Sequence, residues 1–172
     1  GAGRRDAEQT RARRLALAGV ALPAVVAFAL LFVPGSFHQR PDASALASYV
    51  RSHTTDEQRV FVWGSYPEVL LAADRLPAGA LVHSDFVTGR SGGREDPAVT
   101  LELATPGALQ LMLADLRAHP PALVLDTSTA ADLGYQHYPL ALFPDVEAFV
   151  RAGYELVTAI DGVTVWRQVT DI

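Results

Sequence analysis

Three short polar clusters carry the side chains with which this chain could do chemistry: Gly64-Ser65-Tyr66, Asp85 just after His83, and Asp126-Thr127-Ser128. Each follows an apolar run that reads as a β-strand: Arg59–Trp63, Ala80–His83 and Ala122–Asp126. In open α/β sheets, ligands collect beyond the carboxyl ends of the parallel strands. The three clusters would therefore open onto one crevice. Ser65, Tyr66, Asp85 and Asp126 are its candidate substrate-binding residues, with Asp85 or Asp126 as a base or ligand anchor. The residue types favour a plainer reading, in which Ser65 caps a helix, Asp126 fixes a turn and Asp85 is solvated, because fold position alone is only an analogy. A fourth candidate is the glycine-rich stretch 88–98, where Arg90 and Arg94 could grip a phosphate through their planar forks. It lacks the Gly-x-x-x-x-Gly-Lys pattern and does not join a strand directly to a helix, so a solvated loop is the simpler description.

Other chemistries find little to stand on. The five histidines, His38, His53, His83, His119 and His137, show no metal-type spacing, and the absence of cysteine removes disulfides and thiolate sites. No Gly-x-Ser-x-Gly elbow is present. The sequence thus assigns no catalytic residue, metal ligand or cofactor to this chain. Charge excludes one class of partner. From Ser36 onward nine arginines face seventeen acids, and a domain this acidic does not bind a nucleic-acid backbone, which demands clustered cations.

Those candidates must be held by an ordinary globular domain, and the amino-terminal part of the chain is of another kind. Residues 1–14 carry five arginines against two acids, and an uncharged apolar run follows from Leu15 to Val33, closed by Pro34-Gly35. About 20 helical residues cross a bilayer core of about 30 Å. The run predicts a transmembrane helix over 15–34, with Pro23 tolerated inside it. The flanking arginines place 1–14 in the cytoplasm and 36–172 outside, at the plasma membrane of a bacterium. A cleaved signal peptide ending near Ala27-Phe28-Ala29 is the rival, and it leaves the main domain on the same side. The chain begins at Gly1 with a basic stretch leading into the apolar run, which reads as the loop before a last helix of a longer protein.

Within 36–172 the periodicities alternate. Ala43, Leu46, Ala47 and Val50 give a helix over 42–53. Ser65-Tyr-Pro-Glu68 forms a capping box opening a helix that runs to Asp74. Thr105-Pro106 opens another with Leu109, Met112, Leu113 and Leu116 on one face. A helix spans 144–152, and Asp161-Gly162 turns a hairpin between Tyr154–Ile160 and Val163–Gln168. Trp63 and Trp166, both in strands, read as core. The fold class expected is α/β: one transmembrane helix followed by a small three-layer mixed sheet with a carboxy-terminal β-hairpin.

The order of "RVFVWGSYPEVLLAADRLPA", "HSDFVTG", "PPALVLD", "FPDVEAFVRAGYELV" and "DGVTVWR" after a last membrane helix resembles the carboxy-terminal region of bacterial GT-C-type membrane glycosyltransferases. These are relatives of protein O-mannosyltransferases and aminoarabinose transferases. The likeness runs from Leu15 to Arg167, and each piece alone is weak. It implies a multi-span enzyme that moves a sugar from a polyprenyl-phosphate carrier to an acceptor outside the membrane. Its partners would be the lipid bilayer, the remaining helices of the parent protein, and the carrier-linked sugar or the acceptor. In that family the catalytic carboxylate lies in the first extracytoplasmic loop, which this chain does not contain. The domain would then shape or cover the acceptor side without catalysing transfer, and the parent's metal dependence stays open. The competing expectation is a single-span, membrane-anchored domain that binds a ligand or partner outside the cell.

Overall fold

The structure is a computed structural model that describes residues 19, 21–30, 42–90 and 100–169. The chain divides into two compact units, residues 1–40 and 41–172.

In the first unit the expected transmembrane helix over 15–34 is corrected. Among the described residues, no helix is long and apolar enough to cross a membrane. Residues 21–30 are helical, and ten residues at ~1.5 Å each reach only about half of a bilayer core of about 30 Å. Residues 1–18, 20 and 31–34 lie outside the described residues.

The second unit is an α/β fold built on a four-stranded mixed sheet, as expected for this part of the chain. Its strands are β1 (Val60–Trp63), β2 (Leu123–Asp126), β3 (Tyr154–Ile160) and β4 (Val163–Gln168), in the order β1-β2-β4-β3. β1 and β2 run parallel with Val60 opposite Leu123, while β4 is antiparallel to both neighbours. The two parallel strands are buried at every position, which is why they read as unbroken apolar runs rather than alternating ones.

Helices cover both faces. Val60, Val62, Leu123 and Leu125 pack against α1 (Ser44–Ser52) and α2 (Glu68–Ala73). On the other face, Phe61, Trp63 and Val124 pack against α4 (Ala108–Ala118), α5 (Pro144–Gly153) and the one-turn α3 (Asp85–Thr88). Each longer helix buries the stripe its periodicity announces: Leu46, Ala47 and Val50 in α1, Met112, Leu113 and Leu116 in α4, Val146 and Val150 in α5. Pro144 opens α5, where its missing N–H costs nothing. The hairpin turns at Asp161 (φ 50°) and Gly162 (φ 80°), the two positive φ values that a two-residue type I′ turn requires.

Two local expectations fail for identifiable reasons. Ala80–His83 is not a strand. Its chain runs beside β1 but bonds to it only at the two ends, through Val60 N–H to Leu76 O (3.0 Å), Ala78 N–H to Val60 O (3.0 Å) and Ser84 N–H to Gly64 O (2.9 Å). Between these points the Ala80 N–H donates to Oδ2 of Asp115 on α4 at 2.8 Å, so a side chain takes the donor that a ladder would need. The start of the helix expected directly after Ser65 is also corrected: α2 begins at Glu68 with Pro67 as its N-cap, two residues later than the motif places it.

Candidate functional site

Where β1 and β2 end, the polar groups bond mainly to one another. Gly64 takes φ 134°, and a Cβ there would collide with Oγ1 of Thr127. That hydroxyl donates to Trp63 O at 2.8 Å, and Gly64 N–H donates to Oγ of Ser84 at 3.1 Å. The seam is buried, with Ser84 and Thr127 fully shielded. Ser65, next in the chain, is half-buried, and Tyr66 is buried in the core beside α1 and α2. Tyr66 therefore packs rather than lining an opening.

Beyond the outer side of β1 a second group forms around Tyr135. Its hydroxyl shares a 3.1 Å hydrogen bond with Oγ1 of Thr88, and the Arg90 guanidinium lies over its ring at 5.5 Å. Burial pushes the Tyr135 phenol up, and the nearby Asp85 carboxylate adds to that rise. Asp85 Oδ2 stands 3.6 Å from Nδ1 of His83, whose ring stacks on Phe86. Asp85 Oδ1 and His83 Nδ1 are both buried without a hydrogen-bond partner among the described residues. The fold thus brings Asp85 and Arg90 together; Arg94 lies outside the described residues.

Asp126 belongs to a different place. It ends β2 on the face of Trp63 and Val124 and looks into an open crevice of about 190 Å³ between the sheet and α5. Its walls include Ser128, Leu140, Glu147, Arg151 and Trp166. Asp126 is only 5 % exposed, and its Oδ1 accepts from the Ser128 N–H at 2.9 Å and the Ser128 hydroxyl at 2.6 Å. Burial raises its pKa, while the two bonds from Ser128 act in the opposite direction. Glu147 and Arg151, one turn apart on α5, pair at 2.8 Å, and the guanidinium reaches over the Trp166 ring at 6.0 Å. The Trp166 indole N–H is buried without a partner among the described residues. Of the sequence candidates, Asp126 lines this crevice, whereas Ser65, Tyr66, Asp85 and Arg90 are not among its lining residues.

Five residues of these two groups are not among the sequence candidates. Tyr135 and Thr88 gave no signal, since their meeting depends on how the irregular stretch 127–143 folds back. The Glu147/Arg151 pair was readable from its four-residue spacing on a helix. Trp166 was assigned to the core. Trp63 is fully buried and donates Nε1–H to Tyr138 O at 2.9 Å, and Trp166 packs against the same core as a partly buried residue. Trp166 is partly exposed at the crevice wall. Among the described residues, no group of three or more His, Cys, Asp or Glu could hold a metal ion. No family model, curated protein or solved structure matches the chain.

Proposed function

We propose that the domain of residues 42–169 is a non-catalytic, extracytoplasmic part of a polyprenyl-phosphate-sugar-dependent membrane glycosyltransferase, shaping the acceptor side of its cavity. One observation carries the non-catalytic part of this reading. Three hydroxyls at the strand ends, Ser84, Thr127 and Ser128, bond to backbone or to Asp126, and none of the three is paired with a histidine among the described residues as an activated nucleophile would be. The crevice at Asp126 is open to solvent, which suits holding a group rather than transforming it. The resemblance supplies the enzyme class. Its quoted segments fall on ordered elements: "RVFVW" on β1, "PPALVLD" on β2, "FPDVEAFVRAG" on α5 and "DGVTVWR" on β4.

The test is transfer of radiolabelled sugar from a polyprenyl-phosphate carrier by the native polypeptide, purified with an antibody to this domain. Transfer by a native polypeptide several times larger than 18.4 kDa is expected, with none by the 172-residue chain alone. Transfer by this chain alone would overturn the non-catalytic assignment. A native polypeptide of this chain's own size that transfers nothing would leave the competing reading, a ligand- or partner-binding domain.

A further inference from the structure

We infer that the Asp126 crevice receives one neutral sugar ring, gripped by the Asp126 and Glu147 carboxylates and the Trp166 indole. The inference rests on the proposed function only for its choice of sugars as ligands; the site itself follows from size, charge and the lining side chains.

Size comes first. At about 190 Å³ the crevice falls below the roughly 300–1,000 Å³ of pockets that enclose drug-sized ligands, so it fits a single ring and not an extended chain. Charge comes second. Asp126 and Glu147 outnumber Arg151, and the guanidinium already pairs with Glu147 at 2.8 Å. A phosphate would meet a net negative wall whose one cation is engaged, whereas sugar hydroxyls can donate to both carboxylates. This separates the crevice from the carrier's phosphate and points to a neutral group. Third, both described bonds to Asp126 fall on Oδ1. A ring bearing several hydroxyls can donate to both carboxylates at the same time. Trp166 and Leu140 add the apolar surface on which the C–H face of such a ring can lie.

The test is a fluorescence titration of the full 172-residue chain, checked by ligand-observed NMR. Of its two tryptophans, Trp63 is fully buried and Trp166 lines the crevice, so the signal reports on the site. The probes are methyl glucoside, methyl galactoside, methyl mannoside and inorganic phosphate. At least one glycoside is expected to give a saturable change, and phosphate none. Asp126→Asn and Glu147→Gln should each weaken that binding about 10–100-fold, the size of a lost charge-assisted hydrogen bond. Glu147→Gln is the safeguard should Asp126→Asn unfold the domain. No response to any glycoside, tighter binding of phosphate, or unchanged affinity in a folded variant would each overturn the inference. If the native polypeptide transfers sugar while the crevice ignores every glycoside, this inference alone fails. If glycosides bind and no transfer is found, the glycosyltransferase reading fails and the site stands.

Discussion

At the scale of single residues, Asp126 makes the domain's stability depend on acidity in a direction opposite to that of a salt-bridged carboxylate. Burial raises its folded pKa above the unfolded value of ~3.9, so the folded state holds the proton more tightly. Stability from this group is therefore fully present below about pH 4 and declines as pH rises through the raised folded value. Asp126→Asn keeps an acceptor for Ser128 and removes the ionisation. Urea unfolding of wild type and Asp126→Asn across pH 3–8 should show the mutant gaining relative stability as pH rises; parallel curves would mean that Asp126 titrates as it does in the unfolded chain. Gly64 is the other sensitive position. At φ 134° a side chain is strained, and its Cβ would collide with Thr127. Gly64→Ala should cost ~3 kcal/mol or more, measured as a fall in urea midpoint.

At the scale of elements, Arg75 ties α1 to α2. Its buried guanidinium donates to the carbonyls of Arg51 in the last turn of one helix and Thr54 just beyond it, and to those of Ala73 and Asp74 at the end of the other, with Nε on Oγ1 of Thr54 at 2.8 Å. A cation at two helix carboxyl ends also meets both dipoles favourably. Arg75→Met should lower stability by ~2–4 kcal/mol in chemical denaturation. Arg75→Lys should recover only part of that, since an ammonium cannot span the same fork. Nothing in the spacing of the sequence announces this residue. The elements themselves were legible wherever one physical signal sufficed: the apolar stripes of α1, α4 and α5, the doubly buried runs of β1 and β2, and the Asp-Gly turn. Legibility ended where a distant side chain decided the outcome. Asp115 takes the N–H of Ala80 and so cancels a strand that Ala80-Leu-Val-His83 otherwise encodes. The candidate site follows the same division. Asp126 is legible from its place at a strand end, whereas the meeting of Tyr135 with Thr88 and Arg90 depends on stretch 127–143, which has no periodicity to read.

At the scale of the whole molecule, the last strand to be made lies inside the sheet rather than at its rim. β4 pairs with β2 on one side and β3 on the other, so Leu123–Asp126 gains its second neighbour only when residues 163–168 emerge. Until then a buried strand, apolar over Leu123–Leu125, presents bare N–H and C=O groups along one side, the arrangement that invites another chain to pair with it. A chain stopped after Gly153 keeps β1, β2 and the helices around them but offers that open side permanently. It should associate in light scattering while the full chain stays dispersed. Ribosome stalling or proteolysis in the hairpin would therefore convert this domain from a folded unit into a seed for self-association.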